Sequence, residues 1–179
     1  MELQKTLRPL LLASFVLVSG NVHAATADGT LGGTSTGTVD ITLNKNDEVQ
    51  ISGLSAVTLA LQADGSAIGE TTACIYRVGT PGYNLTATGD GASNAFTVAL
   101  ADTTDPIAYT VSFVDAANAT PGAALSSGTA KTGLQANTAA ADCGGTPNVT
   151  FAVAVNATDY AAAQAGAHSG VLSLLVSPE

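Results

Sequence analysis

Few residues in this chain of 179 amino acids have side chains suited to catalysis. A Ser-His-Asp hydrolase would have to use His168, which lies beside Ser169 and is the one histidine beyond the N-terminal leader. A histidine at the start of an apolar strand is better explained as a partly buried strand residue. The chain also contains no G-x-S-x-G, no H-E-x-x-H and no glycine-rich phosphate loop before a lysine.

Carboxylates are the other groups that could act as acid and base, and two pairs stand out. These are Asp102 with Asp105, and Asp28 with Asp40. Aspartates in loops rich in Gly, Pro and Thr ordinarily form turns, and no D-x-D-x-D-G calcium loop is present. We therefore predict that the protein is not an enzyme and has no catalytic residue, cofactor or metal.

The first 24 residues have the pattern of a secretory signal peptide. Lys5 and Arg8 precede an apolar run over residues 9–20, and small residues follow at Ala24 and Ala25. The alternative is a membrane anchor, but the run is too short to cross about 30 Å of hydrocarbon as a helix. We expect cleavage after Ala24 or Ala25 and an exported mature protein of one domain.

The exported part of the chain is strongly acidic, which limits its partners. Its basic residues are Lys45, Arg77 and Lys131, against thirteen of the fourteen acidic residues. So acidic a chain repels nucleic acid.

Cys74 and Cys143 are an even pair in an exported chain, which predicts one disulfide. It would close a loop of about 70 residues, worth about 4 kcal/mol in the chain-entropy model. A redox or metal pair is disfavoured because there is no C-x-x-C.

The body of the chain alternates short apolar segments with turns. Val39, Ile41 and Leu43 share one face of the segment 38–43, and residues 107–113 show the same period of two. Further predicted strands are Glu48–Ile51, Val57–Leu61, Ala73–Val78, Tyr83–Thr88, Phe96–Leu100, Val149–Val155 and Gly170–Ser177. Turn signals such as Thr80-Pro81-Gly82 separate them, so we expect an all-β antiparallel sandwich or barrel. An Ala-rich stretch, Thr158–Ala165, predicts one or two helical turns.

The two ends of the exported part carry the most specific information. Gly170–Ser177 is a strongly apolar strand with Leu172, Leu174 and Val176 on one face, and no later strand covers its edge. At the other end the alternating segment 38–43 follows a Gly- and Thr-rich arm, Asp28–Gly37. Pairing the two between molecules would satisfy both by strand addition and would build a head-to-tail filament. The arm could also pair within its own domain.

The chain resembles pilin subunits of the chaperone–usher pathway, in particular the archaic and alternative branches that include spore-coat-U-like domains. The resemblance rests on Gly166–Val176, which follows G-x-(aromatic)-x-G-x-L-x-L-L-V with His168 at the aromatic position, on the alternating N-terminal extension, and on the lone cysteine pair. It implies an immunoglobulin-like antiparallel β-sandwich that lacks its last strand. A periplasmic chaperone would fill the gap first, and donor-strand exchange with a neighbouring copy would follow at an outer-membrane usher.

The resemblance also assigns roles and boundaries. Val39, Ile41 and Leu43 would be the donor residues, and Leu172, Leu174 and Val176 would line the acceptor groove. The predicted segments are a signal peptide over 1–24, a donor extension over 25–45 and a pilin domain over 46–179. The protein would then be an extracellular pilus subunit that supports adhesion or biofilm formation. The alternatives are a secreted, self-complemented carbohydrate-binding sandwich, which requires an exposed aromatic platform, and an exported hydrolase.

Overall fold

A computed structural model describes residues 26–101, 105–119 and 122–179. The chain divides into two compact units, residues 1–44 and 45–179. The predicted signal peptide lies outside the described residues, as does Ala25, the first residue of the predicted donor extension. Within the described parts, no helix is long and apolar enough to cross a membrane.

The first unit contains one backbone pairing among its described residues. Ala27 and Thr38 exchange two hydrogen bonds, with N···O distances of 3.1 and 2.9 Å. They close the Gly- and Thr-rich stretch into a loop. Of the segment 38–43, which the alternation predicts as a strand, residues 39–43 have no ladder partner among the described residues. An extended segment without a neighbouring strand makes no ladder hydrogen bonds, so the pattern alone does not produce a strand here.

The second unit is built almost entirely from antiparallel strands. The strands are β1 (Val49–Ser52), β2 (Ala60–Leu61), β3 (Ala67–Arg77), β4 (Gly82–Gly89), β5 (Thr97–Leu100), β6 (Ile107–Ala108), β7 (Thr110–Val114), β8 (Ala123–Leu125), β9 (Ala130–Gln135), β10 (Val149–Val155), β11 (His168–Ser169) and β12 (Leu172–Pro178). One short helix, α1 (Ala157–Ala162), follows β10.

The strands form one large and two small sheets. The large sheet has the order β1-β3-β10-β7-β8, and β2 pairs with the start of β3. The small sheets have the orders β12-β4-β9 and β11-β5-β6. Their registers show that β11 continues the line of β12 and that β5 continues the line of β4. Leu172 pairs with Gly89, and Ser169 pairs with Ala99.

The core lies between these layers and holds the fold together. Tyr83, Leu85 and Ala87 alternate inward from β4 and join residues of the large sheet in one buried cluster. Phe113 and Phe151, on the paired strands β7 and β10, have ring centroids 5.3 Å apart. Burial of such side chains supplies about 1.5–3 kcal/mol each, which makes this cluster the main stabilising element. The predicted all-β antiparallel sandwich is confirmed.

Three local predictions were wrong in detail. Of Val57–Leu61 only Ala60 and Leu61 pair, because residues 54–59 lie against the edge of β3 without joining its ladder. The segment 107–113 breaks at Tyr109, whose N–H donates to the Phe96 carbonyl at 2.9 Å. The predicted helix is present but spans Ala157–Ala162 rather than Thr158–Ala165. It begins after Asn156, whose side chain accepts a hydrogen bond from the Asp159 N–H at 2.9 Å and so caps the first turn.

Candidate strand-acceptor groove

An open groove runs along the C-terminal strands of the second unit. Two adjoining cavities of about 350 and 780 Å³ share Val57, Leu59, Val98 and Gly170 among their lining residues. One wall is the segment 54–59, and the other is the line formed by β11 and β12. The floor is apolar, with Tyr109 and Val153 toward one end and Ile107 and Val155 toward the other. We call this feature the acceptor groove.

The wall formed by β12 presents unused main-chain groups to the groove. The Glu179 N–H donates to the Gly82 carbonyl at 3.3 Å, and the Val171 N–H donates to the Asp90 carboxylate, just beyond β4, at 2.9 Å. Odd-numbered residues of this strand therefore turn their N–H and C=O groups toward β4. Because these groups alternate along a strand, those of Leu172, Leu174 and Val176 point toward the open edge.

The side chains of β12 also alternate. Leu172 and Leu174 are half-buried and line the acceptor groove, whereas Leu175 is 65 % exposed on the opposite face. Val176 is half-buried and packs against the core. At its end β12 contacts β1, so the gap between the walls is open beside Leu172 and Leu174 and covered farther along. Two of the three predicted groove residues thus line the groove, and the third packs beyond it.

The opposite wall is held close to β3 by a glycine. A Cβ on Gly69 would lie 2.6 Å from both the Thr58 carbonyl oxygen and a methyl of Val57, which no side chain can tolerate. Ser55 strengthens the same contact, since its N–H donates to the Thr71 hydroxyl at 3.1 Å. The segment 54–59 therefore lies over the edge of β3 without extending its ladder.

The predicted donor residues lie in the other unit and are unusually accessible. Val39, Ile41 and Leu43 are 73 %, 92 % and 89 % exposed. Large aliphatic side chains rarely remain this exposed in a row on a soluble protein, because water disfavours contiguous apolar surface. Such a row fits a segment that pairs with another surface.

The residues considered for catalysis do not form a reacting site in the described parts of the chain. His168 lies on β11 and lines the groove, while Ser169 is exposed. Asp105, Asp28 and Asp40 are exposed, and Asp102 lies outside the described residues. In the same described residues no three His, Cys, Asp or Glu side chains are grouped for metal binding.

Sequence reasoning missed the role of Arg77, which joins three segments at the covered end of the groove. Its side chain is buried, and it donates from Nε to one oxygen of Asp47 at 2.9 Å and from Nη2 to the other at 2.6 Å. It also donates to the Gly82 carbonyl and, at 3.2 Å, to the Glu179 carbonyl. These contacts tie the chain before β1 to the start of β4 and the end of β12. A lone Arg in a strand pattern gave no sequence signal for this.

The ion pair predicts a pH dependence of stability. The hydrogen bond from Arg77 holds the pKa of Asp47 below its ordinary value of 3.8. A carboxyl whose pKa is lowered by folding adds stability above its unfolded pKa and loses it as the pH falls through the folded one. Asp47→Asn should therefore lower the melting temperature at neutral pH, and the difference from the native protein should shrink below pH 3.8.

Thermal unfolding followed by circular dichroism from neutral pH downward measures this effect. Asp28→Asn, in the exposed loop of the first unit, is the control and should leave the melting temperature unchanged at each pH. If the melting temperature of Asp47→Asn differed from that of the native protein by the same amount at every pH, the assigned role of the ion pair would be contradicted.

The predicted disulfide is present. Cys74 on β3 and Cys143 are joined with a Cα–Cα distance of 5.7 Å and 69 residues of sequence separation. The same loop is held to β3 by Asn148, which accepts from the Ile75 N–H at 2.8 Å and donates to the Ile75 carbonyl at 3.0 Å. Two independent attachments therefore fix this loop to the end of β3 that extends beyond its pairs with β10.

Comparison with solved structures finds a weak structural similarity. No protein-family model matches the chain, and no curated protein matches it. A chain from a solved chaperone–tip adhesin complex, described as vital for synergistic activation of CFA/I fimbriae biogenesis, is similar with a TM-score of 0.49 and 16 % identity. The similarity covers 73 % of this chain and 41 % of that chain, so this chain spans less than half of its length.

Proposed function

We propose that this protein is a structural subunit of an extracellular pilus and that it polymerises by strand addition. Residues 38–43 of one copy, called the inserted arm or simply the arm from here on, enter the acceptor groove of the next copy. Each copy gives a strand at one surface and accepts one at another, so the contact is heterologous and extends into an open filament. The filament supports adhesion or biofilm formation at the cell surface.

The observation that carries the proposal is the match between the two surfaces. The acceptor groove offers main-chain groups from alternate residues of β12, above an apolar floor. The arm offers apolar side chains at alternate residues, and its residues 39–43 have main-chain groups with no ladder partner among the residues that the structure describes. Strand addition pairs the main chains and places the alternate side chains on the floor. Each buried aliphatic would add about 1.5–3 kcal/mol.

Export requires that the groove stay covered before assembly, because an apolar edge strand is a site of aggregation. We propose that a periplasmic chaperone occupies it first and that an outer-membrane usher then exchanges the chaperone for the next copy's arm. The signal peptide predicted over 1–24 fits this route. No cofactor, metal or nucleic acid takes part, and the protein is not an enzyme. Genes for a chaperone and an usher beside this gene would support the route.

Deleting residues 26–43 tests the proposal directly. When the variant is the sole subunit that the cell makes, we expect it to be exported and folded. It should form no filaments, because it has a groove and no arm. Electron microscopy of cells measures the result, and the native gene is the control. Normal filaments from the deletion variant would overturn the proposal. A native protein that remains monomeric at high concentration would instead indicate an arm that fills its own groove.

The carbohydrate-binding alternative finds little support in the described residues. It requires aromatic side chains exposed on one surface. In the described ranges Tyr160 is the one aromatic residue that is largely exposed, at 44 %, while Tyr83, Tyr109, Phe113 and Phe151 are buried. Buried aromatics strengthen a core and cannot stack on a sugar ring.

A further inference from the structure

We propose that Lys45 of one copy forms an ion pair with Asp105 and Asp159 of the next copy, and that this pair sets the register of the inserted arm. The inference rests on the proposed function and adds to it a specific contact outside the apolar floor. It also defines which end of the acceptor groove receives which end of the arm.

The acidic partners lie where the groove ends. A separate cavity of about 230 Å³ is lined by Asp105 and Asp159, together with His168. His168, Ile107 and Gln164 line both this cavity and the adjoining part of the acceptor groove. An arm that fills the groove therefore has one end beside the acidic cavity.

Lys45 is the basic residue that continues the arm. It follows Leu43 by two positions, so it extends the series of Val39, Ile41 and Leu43 on the same face. It is exposed, and among the described residues the single ion pair is the one between Arg77 and Asp47. In its own copy the Lys45 amine lies beside Gly79, and its charge helps to lower the pKa of Asp47. Lys45 must leave this position to pair with a carboxylate of another molecule.

The geometry of β12 fixes the register. In an antiparallel pair, side chains on directly opposite residues share a face. The arm's odd-numbered residues must then lie opposite even-numbered residues of the acceptor strand. The groove is open beside residues 168–174, which offers four even-numbered positions to the odd-numbered residues 39–45. Filling all four places Val39 opposite Leu174, Ile41 opposite Leu172 and Leu43 opposite Gly170.

In this register Lys45 lies opposite His168, at the acidic cavity. The reverse orientation of the arm over the same three positions would place Lys45 opposite Val176, a half-buried apolar residue. Transfer of an ammonium group to apolar surroundings is unfavourable without a partner. Charge complementarity therefore selects the antiparallel orientation.

Gly170 contributes to this register by its lack of a side chain. A Cβ at this position would lie 2.5 Å from the Thr97 carbonyl oxygen, so the strand passes unusually close to β5. The wider cavity, of about 780 Å³, lies beside it. In the proposed register Leu43 lies opposite Gly170, beside this wider cavity.

Zero-length cross-linking of native filaments tests the proposal. A carbodiimide joins a lysine amine to a carboxylate only when the two are in contact. We expect a ladder of covalent multimers on a denaturing gel, with mass spectrometry locating the bond between Lys45 and either Asp105 or Asp159. Filaments of the Lys45→Gln variant should give no ladder, whereas those of Lys131→Gln should give the native one.

A charge exchange provides a second readout. Lys45→Glu should speed subunit dissociation roughly two- to fivefold, as expected for a solvent-exposed ion pair. Adding Asp105→Lys to the same chain should restore the native dissociation rate. Filaments whose Lys45 cross-links to other carboxylates would overturn the register and leave the proposed function standing. A native protein that forms no filaments would overturn both.

Discussion

Replacing Ile41 by Asp will prevent filament growth and leave the unfolding of the second unit unchanged. Ile41 is 92 % exposed and lies in the unit formed by residues 1–44, so the substitution removes no core contact. In the acceptor groove the same residue would lie on an apolar floor. The change removes about 1.5–3 kcal/mol of apolar burial and adds the cost of burying a carboxylate. We expect assembly to fall by at least about a hundredfold.

The adjacent residue provides a matched control. Thr42→Asp introduces the same charge one position away, where alternation directs the side chain to solvent. It should assemble nearly as well as the native protein. Electron microscopy counts filaments, and thermal unfolding of the monomers verifies that both variants fold. Equal loss of filaments in the two variants would contradict an inserted strand and would indicate a general effect of charge on the arm.

Removing the disulfide should lower the free energy of unfolding by about 4 kcal/mol while preserving the native fold. Cys74 and Cys143 are separated by 69 residues, so the bond greatly restricts the unfolded chain. In the folded state the Asn148 side chain would still hold the loop to Ile75. Urea unfolding of the Cys74→Ala, Cys143→Ala double variant measures the loss. With an m-value of about 2 kcal/mol/M, the midpoint should fall by about 2 M.

The native protein under reducing conditions is the control, and it should unfold at the same urea concentration as the double variant. A loss below about 1 kcal/mol would show that the unfolded chain is not restricted as the entropy model assumes. An altered circular dichroism spectrum of the folded variant would show that the bond is needed to shape the loop.

Strands with a regular alternation were predictable from the sequence. Val149–Val155 has the predicted bounds, because its large apolar residues alternate into the core. The first half of β3 was not predicted, since Ala67–Thr72 contains one large apolar residue. The strand β9, Ala130–Gln135, was missed for the same reason, as Leu134 alone is large and buried. Such strands are determined by their neighbours in the sheet, which a local pattern does not encode.

The site was predictable only in part. The apolar periodicity of the C-terminal strand indicated Leu172 and Leu174 as groove residues, and both line the groove. The opposite wall was not predictable, because residues 54–59 are placed by a close approach to Gly69 and by a hydrogen bond to Thr71. The contacts of Arg77 with Asp47 and Glu179 join residues 30 and 102 positions apart in the chain, which is beyond any local pattern.

The scarcity and placement of basic residues have a consequence for digestion by enzymes that cut after Lys or Arg. Beyond the predicted leader such enzymes have three possible sites, and Arg77 is only 4 % exposed and held by Asp47. Lys131 lies within β9, so the exposed Lys45 is the most accessible site. One cut there would separate the arm from a subunit that keeps its groove. A free subunit cut in this way could occupy the end of a growing filament and stop its extension.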